Sequence, residues 1–176
     1  MKTIQEVVEL LKAGKYEDAK IELEKIISIK KDDFQAHHVL GVVFAKLNDF
    51  DKAIDNLNLS VKINPENKGA YFELGNIYRM QNNINESKNN FLNALNIDPN
   101  FIEAHISLAK INESENNILE TNKIYQKALL INNEHLQLNK AYANFLIRSG
   151  EISKGLSLQY KYSGVIRFNK NNLEIL

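Results

Sequence analysis

A 34-residue internal repeat is the feature of this sequence that most constrains its fold. Pro65 and Pro99 lie 34 residues apart, and so do Gly41 and Gly75. The same step aligns four columns of similar residues through five consecutive repeats without an insertion. Self-similarity at a period of about 20–50 residues indicates a stacked repeat architecture. The columns are Ala19, Ala53, Ser87, Thr121 and Gly155; Ile29, Ile63, Ile97, Ile131 and Val165; Tyr16, Phe50, Ile84, Ile118 and Ile152; and Gly14, Asn48, Asn82, Asn116 and Gly150.

Each repeat carries two helical patterns separated by a short turn. In the second repeat, one run of apolar residues follows i, i+3, i+4 and i+7 spacing and a second run continues the same period, which predicts two amphipathic helices. Asn48 lies in the turn, and Asn and Gly tolerate the left-handed conformation that ends a helix. No segment in the body of the chain alternates between apolar and polar residues, so we predict no strands there. The two runs are Leu40, Val43, Phe44 and Leu47, and Ala53, Ile54, Leu57 and Val61.

A single helix pair of this size cannot bury its apolar face, whereas several stacked pairs share one continuous core. The column of small residues then has a steric role, because a larger side chain would push the two helices of a repeat apart. We therefore expect Ala53→Leu or Ser87→Leu to destabilise the fold by overpacking, at a cost of about 1–3 kcal/mol.

The register predicts a single repeat domain over residues 1–169, followed by a C-terminal tail over 170–176. The predicted repeats are 1–33, 34–67, 68–101, 102–135 and 136–169. The segment GVIRF near the C-terminus departs from the repeat pattern and is β-prone in composition. The N-terminal MKTIQEVVELL lacks an uninterrupted apolar stretch, so we expect no signal peptide.

The residues resemble tetratricopeptide repeats, a family with a 34-residue helix–turn–helix unit. The resemblance covers about residues 1–169, and the first and last repeats match more loosely than the others. It implies an all-α, right-handed superhelical solenoid of about five repeats. The third repeat matches best, through Tyr71, Leu74, Gly75, Tyr78, Ser87, Phe91, Ala94 and Pro99.

In that family, the first helices of the repeats line a concave groove that commonly binds an extended peptide or a partner helix. The resemblance therefore implies a groove with six basic and two acidic residues, and a partner that is acidic or has a free C-terminal carboxylate. The acidic positions are Glu103 and Glu113. The alternative is that these side chains are solvated surface charges without a ligand. The implied peptide-binding residues are Lys12, Lys46, Phe72, Asn76, Arg79, Lys110, Lys140, Asn144 and Arg148.

Asn76 and Asn144 hold the same place two repeats apart, and Asn76 lies in a stretch close to the family's peptide-binding consensus. An Asn amide can both donate to and accept from a peptide backbone. The family's clamp for chaperone C-terminal tails is not expected, because Val42 and Glu73 stand where that clamp needs other residues.

Composition excludes several functions. The 22 Lys and Arg residues balance 22 Asp and Glu residues, which argues against nucleic-acid binding. The chain has no cysteine and no phosphate-binding, nucleophile-elbow or metal-binding motif, so we predict no catalysis, cofactor or metal site. His37 and His105 replace a consensus aromatic residue, and we expect packed rings there.

Two readings of function remain. The first is a non-catalytic scaffold or adaptor that binds a protein or peptide in the basic groove. The second is a structural protein that self-assembles through its solenoid ends into a homo-oligomer. The sequence contains no apolar run long enough to span a membrane, so we predict a cytoplasmic protein without a membrane partner.

Overall fold

The structure is a computed structural model, and it describes residues 2–163, 166–169 and 172–175. Within these residues the chain forms ten helices, two in each of five successive repeats, which confirms the predicted all-α repeat architecture. The first helices of the second to fifth repeats begin at Phe34, Lys68, Ile102 and Leu136, at intervals of one repeat. The helices are α1 (Ile4–Lys12), α2 (Tyr16–Ile29), α3 (Phe34–Lys46), α4 (Phe50–Ile63), α5 (Lys68–Met80), α6 (Ile84–Ile97), α7 (Ile102–Ser114), α8 (Ile118–Ile131), α9 (Leu136–Arg148) and α10 (Ile152–Ser163).

Short polar side chains fix the helix starts. Thr3 forms a capping box with Glu6 at α1, and the Asp33 carboxylate accepts from two backbone N–H groups at the start of α3. Asn67 accepts from the backbone N–H of Ala70 at the start of α5. Such caps satisfy N–H groups that have no partner within the helix.

One left-handed residue ends the first helix of every repeat. Its φ angle is close to +60° at Asn48, Asn82 and Asn116, and it is 73° at Gly14 and 94° at Gly150. These five residues are the Gly/Asn column of the sequence. The recurring turn explains why only these two residue types occur there, since other side chains are strained at positive φ.

The two helices of a repeat pack closely because small residues face each other. A Cβ atom placed on Gly41 would lie 2.6 Å from Cγ of Leu57, and one on Gly75 would lie 2.6 Å from the Phe91 ring. Ala53 and Ser87 are fully buried at the same interfaces, and the Ser87 hydroxyl donates to the Gly75 carbonyl at 2.7 Å. The small-residue column therefore lies where a larger side chain has no space.

The chain divides into two compact units, Met1–Pro99 and Asn100–Leu176. In the N-terminal unit, α1 contacts α3 and α3 contacts α5, while each of them also packs on the second helix of its own repeat. In the C-terminal unit, α7 contacts α9 in the same way. First helices thus form a continuous layer within each unit. Their solvent-facing side is called the first-helix surface of that unit below. The single domain over residues 1–169 stays a prediction.

A short antiparallel hairpin follows the last helix. Strand β1 (Ile166–Asn169) pairs with β2 (Asn172–Ile175), with Ile166 opposite Ile175. Ile and Phe favour extended backbone, in accord with the β-prone composition of GVIRF. The hairpin lies across the boundary predicted between the last repeat and the tail, so these residues add a small β element to the helical repeats.

None of the helices in the described residues combines the length and the apolar character needed to cross a bilayer.

Candidate functional site

The first-helix surface of the N-terminal unit carries five of the predicted groove residues. Lys12 lies in the last turn of α1, is exposed, and forms an ion pair with Glu9 at 2.8 Å. Lys46 and Arg79 lie in the last turns of α3 and α5, where they are exposed and have no ion-pair partner among the described residues. Cations in a last turn are favoured there by the helix dipole, and Lys46 and Arg79 remain available to a ligand.

Phe72 and Asn76 are half-buried on α5, between the solvent and the core. The Phe72 ring lies 5.6 Å from the Phe91 ring, so it packs on the core rather than standing free. Burial raises the pKa of Glu73, whereas the Asn76 amide and the Lys46 ammonium act to lower it. Glu73 therefore offsets part of the positive charge that the sequence predicts on this surface.

The other four predicted residues come together in the C-terminal unit. Lys110 on α7 and Lys140, Asn144 and Arg148 on α9 line one pocket of about 480 Å³. The three α9 residues are spaced by four, which places them along one face of that helix. All four side chains are exposed, and Lys110 and Lys140 have no ion-pair partner among the described residues. Four of the residues that the family resemblance implies therefore line a common cavity.

Two of these residues have intramolecular partners. Nε of Arg148 donates to Oε1 of Glu113 at 2.7 Å, although the Arg148 side chain is still 61% exposed. The Asn144 side-chain oxygen accepts from Gln159 at 2.8 Å, which leaves its amide N–H groups to donate. The Arg148–Glu113 pair bridges successive repeats and orients the guanidinium at the edge of the pocket.

Tyr125 on α8 also lines this pocket. The residue is 1% exposed, and its hydroxyl has no hydrogen-bond partner among the described residues. Burial raises the pKa of the phenol, and the nearby Glu113 carboxylate raises it further while Arg148 acts to lower it. Buried polar atoms in native proteins are nearly always hydrogen-bonded, so an unpaired hydroxyl here needs an explanation.

The residues predicted from the sequence do not include Tyr125. Leu57 and Phe91 hold the same place in the two preceding repeats, and both are buried apolar residues. The feature that could have identified Tyr125 is its hydroxyl. The same position is apolar in the two preceding repeats, so packing of the side chain does not require an oxygen there.

A larger pocket of about 680 Å³ lies in the N-terminal unit, between the second helices α2 and α4. Its charged lining side chains are two acidic and two basic ones, Glu24, Asp32, Lys31 and Lys62, so they carry no net charge. His37 contacts the Asn56 side-chain oxygen at 3.1 Å and the Lys31 carbonyl at 2.9 Å. His37 and His105 are 7% and 3% exposed, which confirms that both rings are packed between helices. We therefore place the candidate site at the smaller pocket, whose charged lining side chains are all basic.

Comparison with known proteins decides the family. A tetratricopeptide-repeat model matches residues 34–67, and a second model, of a TPR repeat, matches residues 75–114. The chain belongs to the tetratricopeptide-repeat family. Proteins built from these repeats are generally non-enzymatic, and in general terms the chain is a protein–protein interaction module.

Solved structures with the same fold are distant in sequence. PilF of Pseudomonas aeruginosa is 19% identical with a TM-score of 0.82, and the match covers 94% of this chain and 76% of PilF. TTC0263, a thermophilic TPR protein of Thermus thermophilus, is 18% identical with a TM-score of 0.74, covering 90% and 87% of the two chains. YrrB, a TPR protein with an unusual peptide-binding site, is 17% identical with a TM-score of 0.67, covering 80% and 73%. These likenesses show the fold, and no curated protein matches the chain in sequence.

Among the described residues, no group of three or more His, Cys, Asp or Glu side chains is placed to hold a metal ion. The side chains that line the C-terminal pocket offer positive charges and hydrogen-bond donors.

Proposed function

We propose that this protein is a non-catalytic scaffold or adaptor whose first-helix surfaces bind an extended segment or helix of another protein. The observation that carries the proposal is the pocket of the C-terminal unit. Lys110, Lys140 and Arg148 line it together with Asn144, while the chain as a whole has no net charge. Positive charge is thus concentrated at a concave place on a neutral protein, where it favours an acidic ligand.

The partner is a protein or peptide with acidic side chains or a free C-terminal carboxylate. Lysine ammonium groups and an arginine guanidinium donate charge-assisted hydrogen bonds to such groups. Asn144 adds amide donors that suit the carbonyl groups of a bound backbone. The peptide-binding site of the structurally similar YrrB supports a peptide as the ligand class. The cytoplasm stays the predicted compartment.

The test is a pull-down from native lysate, read by mass spectrometry, with a charge-reversed variant. Lys46→Glu, Lys110→Glu and Lys140→Glu reverse three exposed first-helix cations that have no ion-pair partner among the described residues. Arg148 is left unchanged, because reversing it would set a second carboxylate against Glu113.

The matched control variant also changes three lysines to glutamate, but at positions that lie away from the first-helix surfaces. Lys31, Lys62 and Lys127 are exposed lysines in the turn after α2 and on α4 and α8. We expect the first-helix variant to lose partners that the wild type and the control variant both capture, while all three proteins melt at similar temperatures. If the control variant loses the same partners, or the first-helix variant loses none, binding does not occur at the first-helix surfaces.

A second candidate function is self-assembly through the ends of the repeat array. The last helix, α10, leaves Ile152 and Tyr160 54% and 61% exposed. Exposed apolar residues at an array end can pack on another copy. Mass measured by light scattering should then rise with concentration and fall in an Ile152→Lys/Tyr160→Lys variant, whereas a constant monomer mass would exclude this candidate.

A further inference from the structure

The pocket of the C-terminal unit has more positive charge than a single carboxylate would neutralise. Three cationic side chains, Lys110, Lys140 and Arg148, line it, and Glu113 forms an ion pair with one of them. Two positive charges therefore remain. They belong to flexible lysines without ion-pair partners among the described residues, so both ammonium groups can turn toward a bound anion.

The Tyr125 hydroxyl adds a further donor. Its oxygen is buried and has no hydrogen-bond partner among the described residues, and the residue is part of the lining of the same pocket. Its place in the repeat is filled by Leu57 and Phe91 in the preceding repeats, so packing of the core does not account for the oxygen. A buried hydroxyl without a partner costs stability, and an incoming acceptor would remove that cost.

We propose that this pocket binds a phosphate monoester, with Lys110 and Lys140 as its charge partners and the Tyr125 hydroxyl as a donor at its floor. A phosphate monoester carries a charge of about −1.5 to −2 near neutral pH and three terminal oxygens that accept hydrogen bonds. The pocket offers two unneutralised charges, which match the charge of that group, and the two lysines and the Tyr125 hydroxyl can donate to its oxygens. A single carboxylate carries one charge, so it would leave one of the two lysines unneutralised.

A phosphorylated serine or threonine on a bound segment is one source of this group, and a free phosphate ester is the other. The first source rests on the proposed function, because it makes the phosphate part of the protein partner. A phosphodiester of RNA fits less well. It has one charge and two terminal oxygens per phosphate, and the neutral composition of the chain offers no long basic track for such a polymer.

Isothermal titration calorimetry on the full chain tests the proposal. The probes are three end-capped alanine pentapeptides that carry a central phosphoserine, glutamate or serine. Inorganic phosphate and O-phosphoserine are the free-phosphate probes, and an oligouridylate is the RNA probe. We expect the phosphoserine peptide to bind at least tenfold more tightly than the glutamate peptide. Equal affinity for O-phosphoserine would assign the pocket to free phosphate esters, and tighter binding of the peptide would assign it to a phosphorylated segment.

The decisive variant is Tyr125→Phe, which removes the hydroxyl and keeps the ring. We expect it to weaken phosphoserine binding about tenfold, equivalent to about 1.4 kcal/mol, because a hydrogen bond to a charged group is lost. Lys140→Gln should weaken binding at least as much. Tyr142→Phe is the control, since the Tyr142 hydroxyl donates to Asn122 at 2.9 Å and does not line this pocket.

Three results would overturn the proposal: equal binding of the phosphoserine and glutamate peptides, unchanged binding by Tyr125→Phe, or tighter binding of the oligouridylate. None of them would affect the pull-down result, so loss of partners in the first-helix variant would still support the proposed function. Conversely, phosphoserine binding that depends on Tyr125, without any such loss of partners, would support the phosphate pocket and contradict the proposed function.

Discussion

The Tyr125 hydroxyl provides a sharp test of the packing described above. Its oxygen is buried without a partner among the described residues, while the ring contacts the rings of Tyr142 and Phe145 at 5.4 and 5.6 Å. Tyr125→Phe keeps these ring contacts and removes only the oxygen. Since an unpaired buried polar group costs about 1–3 kcal/mol, we expect the variant to gain about that much stability. For a chain of this size, each kcal/mol corresponds to about 2–4 °C in Tm.

The neighbouring Tyr142 is the matched control, because the same substitution has the opposite expected sign there. Its hydroxyl donates to the Asn122 side-chain oxygen at 2.9 Å, so Tyr142→Phe should lose about 0.5–1.5 kcal/mol. Thermal melts and urea titrations followed by circular dichroism measure both variants. A lower Tm for Tyr125→Phe would show that the hydroxyl is satisfied in the native state, and the reasoning on this pocket would then be wrong.

Three further predictions concern the repeats. Ala53→Leu should cost about 1–3 kcal/mol in urea titrations, because Ala53 is fully buried between two close helices, and an unchanged midpoint would contradict this. Asn82→Ala should lower Tm by an amount equivalent to about 1 kcal/mol while Asn82→Gly does not, because φ is 59° at that position. Burial raises the Glu73 pKa above the ordinary value of a glutamate, so its carboxylate destabilises the native state at neutral pH. Glu73→Gln should therefore raise the urea midpoint at about pH 7, and this gain should disappear as the pH falls below about 4.3, where both states protonate Glu73; an equal gain at both pH values would refute it.

Much of the fold could be predicted from the sequence because the repeat imposes the same local demands five times. Asn48, Asn82 and Asn116 revealed the turn, since few residues adopt positive φ without strain. Ala53 and Ser87 revealed the close helix interface, because only small residues fit there. The terminal hairpin was less predictable, since it occurs once and has no repeated column to mark it.

The site was predictable only in outline. The register placed Lys110, Lys140, Asn144 and Arg148 on first helices, and these four line one pocket. The Arg148–Glu113 ion pair depends on side-chain directions in two different repeats, which a column of residue types does not specify. Tyr125 was not predicted as a site residue, because Leu57 and Phe91 are buried apolar residues at the same place in other repeats and the position of its oxygen relative to α9 requires coordinates.

Site-specific photo-crosslinking tests directly whether the first-helix surface binds a protein segment. Gln137 on α9 and Gln126 on α8 are both exposed glutamines, but Gln137 lines the charged pocket and Gln126 lies on a second helix and lines a different pocket. A benzoylphenylalanine residue replaces one or the other, and irradiation in native lysate is followed by mass spectrometry of the adducts. We predict that protein adducts form from position 137 and that an excess of unlabelled wild-type protein suppresses them. The same adducts should not form from position 126. Adducts from position 126 with none from position 137 would contradict binding at the first-helix surface.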